Sequence, residues 1–116
     1  MKLRIKIGNM DKDVREIFEN PKKGRPGTHT LYLKNPKELY ELLTPKRLEL
    51  LMFTMQNKKE PITAISIALN RKQESISRDA TILEKNGIIK KTKDKQKTYL
   101  QPIYTGFEIT LQPQSN

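Results

Sequence analysis

Apolar and basic residues alternate from Lys2 to Ile7, with Leu3, Ile5 and Ile7 on one side of the chain and Lys2, Arg4 and Lys6 on the other. A period of two marks a strand with one buried face. From Asp11 to Asn20 the spacing turns helical through Val14, Ile17 and Phe18, and Asn20-Pro21 ends that helix. A proline- and glycine-rich loop runs from Pro21 to Thr28. His29 to Lys34, with Leu31 and Leu33, reads as a second short strand, and Asn35 or Pro36 opens a helix through Leu39, Leu42 and Leu43.

Thr44-Pro45 then restarts a helix, with Thr44 as the N-cap and Pro45 at the first helical position, where its missing N–H costs nothing. Leu48, Leu51, Met52 and Met55 form the expected core-facing stripe of this helix, and Asn57 to Glu60 is a polar break. Pro61 begins the next helix, in which Ile62, Ile65, Ser66 and Leu69 repeat the spacing. Asn70 to Lys72 makes a three-residue turn, because asparagine tolerates the left-handed backbone that such a turn requires. The following helix, Gln73 to Asn86, packs through Ile76, Ala80 and Leu83 and leaves Gln73, Glu74, Ser75, Ser77, Arg78 and Thr81 on its other faces. Gly87 is its left-handed cap. Ile88 to Thr92 and Lys97 to Ile103 make a hairpin around a lysine-rich tip without glycine, and Phe107, Ile109 and Leu111 mark a last strand before a polar tail.

Charge adds to this picture. The chain has 116 residues with 23 Lys and Arg against 13 Asp and Glu, a formal net charge of +10, and a pI of about 9.9. This balance suits a polyanionic partner. Half of the excess lies between Arg71 and Lys97, where nine basic residues face four acidic ones. There is no cysteine and one histidine, which removes disulfides, thiolate metal sites and cysteine nucleophiles and leaves a Ser-His-Asp triad or a metal site at His29 without partners. No metal or other cofactor is expected. The longest apolar run, Leu50 to Phe53, is far too short to cross a bilayer. The N-terminus lacks the apolar stretch and cleavage site of a secretory signal, so the expected location is the cytoplasm.

Three helices followed by a basic hairpin make a winged helix-turn-helix, in which a helix enters the major groove and the hairpin tracks the adjoining backbone. The expected fold is α+β: a three-helix core plus β-hairpin wing over residues 36–111, an N-terminal strand-helix-strand extension with a basic loop over 1–35, and a flexible tail over 112–116. The run Leu43 to Leu51, the pattern formed by Arg71, Ile76, Ser77, Arg78, Asp79, Leu83, Glu84 and Gly87, then Pro102-x-Tyr104 and the Phe107 to Leu111 strand resemble the small winged-helix transcriptional regulators of bacteria and archaea. More narrowly they resemble the MarR-like group often placed with predicted antitoxins. The resemblance runs from about His29 to Leu111 and leaves the first 28 residues unmatched. It implies operator DNA as the partner, usually bound by a homodimer, with the Gln73 to Arg78 turn presented to bases. It also admits a toxin partner. Two positions depart from the family pattern: Lys72 stands where an Asp or Ser cap is usual, and Asn70 where the turn glycine is usual.

The residues expected to touch DNA are Arg71, Lys72, Gln73, Glu74, Ser75, Ser77, Arg78 and Thr81 from the turn and reading helix, and Lys90, Lys91, Lys93, Lys95 and Lys97 from the hairpin. For Arg78 the competing reading is an ordinary ion pair, for the serines a solvated helix face, and for the lysines a charge-protected hairpin edge. Asp79 reads as structural. Lys22, Lys23 and Arg25 belong to a segment, Lys22 to Gly27, with the Gly-Arg-Pro core of a minor-groove hook, although a plain basic loop explains the same composition. The expected function is sequence-specific binding of double-stranded DNA by a transcriptional regulator, a repressor, without enzymatic activity. The rival is a winged helix used to bind protein, as an antitoxin masks a toxin. An RNA-processing enzyme would need a carboxylate or histidine constellation, and Glu38, Glu41, Glu49 and Glu108 have no paired spacing.

Overall fold

A computed structural model describes residues 2–8, 28–57 and 59–111. The expected helix from Asp11 to Asn20, the basic loop with Lys22, Lys23 and Arg25, and the tail over 112–116 lie outside the described residues. In chain order the elements are β1 (Lys2–Ile7), β2 (Thr28–Leu33), α1 (Pro36–Leu42), α2 (Pro45–Asn57), β3 (Glu60–Pro61), α3 (Ile62–Leu69), α4 (Gln73–Lys85), β4 (Ile89–Asp94), β5 (Lys97–Pro102) and β6 (Gly106–Leu111). They form two compact units, Met1–Glu41 with Gly106–Asn116, and Leu42–Thr105.

The first unit is built on a three-stranded sheet in the order β2-β1-β6. Both neighbours run parallel to β1, Lys2 to Ile7 lying opposite Thr28 to Leu33 and opposite Gly106 to Leu111. Leu3, Ile5 and Ile7 are buried, as the alternation predicts. On the other face Arg4 donates to the Glu108 carboxylate at 3.3 Å. Asn35 caps α1 by accepting from the Glu38 N–H at 3.0 Å, while the Glu38 carboxylate accepts from the Lys34 N–H at 2.8 Å. The strand at 106–111 and most of α1 therefore belong here, and not with the helices and hairpin as a single domain over 36–111 would require. A strand must place its backbone N–H and C=O groups on a partner, and β6 finds that partner in β1, about a hundred residues earlier.

The second unit holds α2, α3 and α4 and a sheet in the order β3-β5-β4. The order of three helices followed by a hairpin is that of a winged-helix-like domain. Thr44 caps α2, its hydroxyl accepting from the Arg47 N–H at 3.2 Å. Pro61 precedes α3 in extended conformation, Asn70 ends it at φ 51° and ψ 53°, and the Asn70 N–H returns to the Ile67 carbonyl. Gly87 at φ +70° ends α4; its N–H bonds to the Glu84 carbonyl at 2.9 Å and that of Ile88 to the Leu83 carbonyl at 2.9 Å. This is the paired closure of a left-handed cap. β4 and β5 pair antiparallel from Ile89↔Pro102 to Asp94↔Lys97, and Lys95 takes the left-handed conformation at the tip, φ 57°. β3 pairs with β5 through Glu60 and Pro61, a two-residue strand too short for any periodicity to reveal.

The core of this unit is formed by Leu50, Leu51, Ile62, Ile65, Ile76, Ala80, Leu83, Ile88, Ile89 and Leu100. Ile76, Ala80 and Leu83 face inward as their spacing predicts. The stripe assigned to α2 is displaced: Leu50, Leu51 and Thr54 are buried, whereas Leu48 and Met52 are 43% and 55% exposed. The sequence Leu48 to Met55 is apolar nearly all round, so two overlapping stripes fit it and packing selects between them. Thr54 meets the cost of burying a hydroxyl by donating to the Leu51 carbonyl at 2.7 Å.

Candidate nucleic-acid interface

With its apolar face against the core, α4 turns Gln73, Glu74, Ser77, Arg78 and Thr81 toward a trough of about 550 Å³. The opposite bank is the hairpin tip, Gln96 to Thr98, and the floor at one end is the start of α3, Pro61 to Thr63. Lys97 thus stands across the trough from Arg78. Gln73, Arg78 and Lys97 are exposed, and Ser77 and Thr81 are half-buried. Donors and cations prevail in this lining, with Glu74 the acidic exception.

The remaining expected DNA-touching residues are dispersed. Arg71 is not among the residues that line the trough. Its side chain is 8% exposed, and its guanidinium donates to Asp79 at 2.5 Å, to the Ser75 hydroxyl at 2.8 Å and to the Lys46 carbonyl at 3.4 Å. Its Nε is buried with no hydrogen-bond partner among the described residues. Ser75 therefore serves as an acceptor inside the protein. Arg47 approaches the other oxygen of Asp79 at 3.1 Å and also donates to the Leu42 carbonyl. Asp79 is structural, the centre of a cluster that joins α2, the interhelical turn and α4.

The hairpin lysines divide between its two faces. Directly opposite residues of an antiparallel pair share a face, so Lys91 and Lys93, opposite Leu100 and Thr98, lie on one, and Lys90 and Lys97, opposite Gln101 and Asp94, on the other. Lys91 is not free, because its ammonium donates to the Thr81 hydroxyl at 3.1 Å, and Thr81 in turn donates to the Ser77 carbonyl at 2.9 Å. That chain of bonds moors the wing to α4. Lys95 and Lys97 border a second hollow beyond the tip, with Asp94, Gln96 and Tyr99. Lys59, absent from the sequence-based set, lies over the Tyr99 ring at 5.1 Å from its centroid. Only the pairing of β3 with β5 brings Lys59 there. Thr63, Gln96 and Thr98 also line the trough, although their residue types do not single them out; the position of Gln96 and Thr98 in the hairpin tip is a usable signal, whereas Thr63 carries none.

Lys72 occupies the N-cap of α4 in extended conformation, φ −66° and ψ 141°, and its side chain caps nothing. The first turn of α4 is thus left with uncapped N–H groups beside a cation, an arrangement that an added anion would stabilise. Changing Lys72 to Asp should raise the stability of the isolated protein by about 1 kcal/mol in a thermal melt. The same change should weaken binding of any polyanion at this end of the helix. A variant that melts higher and also binds DNA more tightly would remove Lys72 from the interface.

Among the described residues no helix is long and apolar enough to cross a membrane, and no group of three or more His, Cys, Asp or Glu is placed to hold a metal ion.

The fold and trough define a small mixed α+β protein with a winged-helix-like unit. A family model described as HVO_A0114 matches residues 42–109, and the chain belongs to that family. The solved structure of a transcriptional regulator homologue from Pyrococcus horikoshii OT3 is similar at 24% identity and a TM-score of 0.48, over 57% of this chain and 75% of that one. A comparison with curated proteins finds no match.

Proposed function

We propose that the unit from Leu42 to Thr105 is a winged helix-turn-helix that binds double-stranded DNA in a sequence-dependent way, and that the protein is a transcriptional repressor of the MarR-like kind acting in the cytoplasm without enzymatic activity. The observation that carries this reading is the trough, which sets the polar face of α4 opposite the hairpin tip. Gln73, Glu74, Ser77 and Arg78 on one wall have the donors and acceptors that read base edges, and Lys97 on the other has the charge that holds a phosphate. An α-helix flanked by a hairpin matches the width of a major groove and its bordering backbone. Lys72, Lys93 and Lys95 hold further phosphates at the margins, and the segment with Lys22, Lys23 and Arg25 is a separate candidate for minor-groove contact.

A second reading has its own observation. Leu48, Met52, Phe53 and Leu69 line a hollow of about 430 Å³ with mostly apolar walls, and Ile67 is 81% exposed. Apolar surface of this kind favours a protein partner, either a second copy that forms a homodimer or a toxin masked by this chain.

The deciding experiment is a titration of duplex DNA over a range of salt with the wild type and with Lys93, Lys95 and Lys97 all changed to Ala. Wild-type affinity should fall steeply with salt. The triple variant should bind all sequences more weakly, its log–log salt slope reduced by about 0.9 for each phosphate that is no longer neutralised. An unchanged slope would turn the hairpin away from DNA, and no binding at low salt would leave the protein-binding reading in its place.

A further inference from the structure

α4 is seated on the core by Ile76, Ala80 and Leu83, all fully buried. This packing fixes which face of α4 is buried, but apolar burial is non-directional and restrains small rotations about the axis less than directional bonds do. One residue of helix corresponds to about 100° of rotation and 1.5 Å of rise, and a small turn about the axis would redirect every side chain in the trough. Directional bonds come from the opposite flank. Both oxygens of Asp79 are engaged, Oδ1 by Arg47 Nε at 3.1 Å and Oδ2 by Arg71 Nη2 at 2.5 Å. The two arginines come from different elements, α2 and the turn before α4, and all three side chains are at least four-fifths buried. Arg71 also grips the Ser75 hydroxyl one turn earlier and the Lys46 carbonyl of α2. Charge-assisted bonds made in a fixed fork geometry specify orientation in a way that apolar packing does not.

We propose that Asp79 is a positioning residue for sequence reading: clamped between Arg47 and Arg71, it sets the rotation of α4 so that Ser77 and Arg78 face the bases, while touching no DNA itself. Asp79 has this role only if α4 reads duplex DNA. Its loss then lowers discrimination between sequences and not general affinity, the reverse of what its charge alone would do. An acidic side chain repels DNA, so Asp79→Asn considered purely as a charge change strengthens binding to every sequence.

The test compares affinities for a preferred duplex, chosen by selection from random sequence, and for random duplex of equal length at one salt concentration. Thermal melts establish which variants are folded. Glu84→Gln removes the same charge from an exposed position of α4 and should raise both affinities in parallel. Asp79→Asn should reduce the preferred-to-random ratio by about tenfold, the usual effect of disabling a single base-reading side chain. Arg47→Lys keeps every charge but loses the fork; it should lower the same ratio several-fold with random-duplex affinity and salt slope unchanged, and it decides the matter if Asp79→Asn does not fold. A wild-type ratio in both folded variants, or a parallel rise for Asp79→Asn like that of Glu84→Gln, overturns the positioning role while leaving DNA binding intact. Failure of the wild type to bind any duplex at low salt overturns the DNA reading itself, and the positioning role with it.

Discussion

Replacing Leu83 with alanine should destabilise the helical unit by about 2–5 kcal/mol, the usual cost of a cavity left by a truncated core leucine. Leu83 has no exposed surface, and its carbonyl receives the Ile88 N–H that closes α4. Leu83 lies near the end of the helix, and the buried Ile88 and Ile89 that follow it are fixed by the helix cap and by strand pairing, which limits how far the backbone there can collapse into the void. Leu51→Ala should fall in the same range, whereas Met52→Ala, on the exposed side of α2, should stay within about 0.5 kcal/mol of the wild type. Chemical denaturation measures all three. A Met52 variant as damaged as the Leu51 variant would restore the stripe through Leu48 and Met52 and refute the observed facing of α2.

On the proposed DNA-binding reading, Arg78→Ala should cost about 1–3 kcal/mol at the preferred duplex and much less on random DNA, because an arginine that pairs with a base edge contributes at one position only. The contrast with the two neighbouring arginines supports this expectation. Arg47 and Arg71 are spent on Asp79, while Arg78 is exposed, lines the trough and makes no ion pair with a described residue. A binding-site selection with the variant should show relaxed preference at a single base pair. Equal weakening on preferred and random DNA would reassign Arg78 to a phosphate.

Arg71, in the turn before α4, and Arg78, within α4, both read in the sequence as arginines expected to touch DNA. What separates them is the distance at which Asp79, Ser75 and the Lys46 carbonyl come to lie, and this depends on how α2 crosses α4. Lys91 and Thr81 likewise read as two independent DNA-touching residues and prove to be bonded to each other. In both cases the residue type announces a polar partner, and only proximity in space reveals that the partner is internal.

The sequence by itself determined the local elements of the helical unit. Thr44-Pro45 and Asn70 impose backbone conformations that their own side chains favour, Gly87 permits a left-handed one because it lacks a Cβ, and Ile76, Ala80 and Leu83 recur at a spacing that only one helical face satisfies. Such signals act over a few residues and are complete within them. The tertiary structure alone decided the parallel pairing of β6 with β1 and the phase of α2, because each depends on groups distant in the chain, and it decided the inward turn of Arg71, because α2 brings Arg47 and the Lys46 carbonyl against Asp79 and Arg71. A strand pattern states that a partner is needed without naming it, an apolar segment with two acceptable stripes leaves its phase to the surface it meets, and a buried cation declares itself only when its carboxylate arrives from another element.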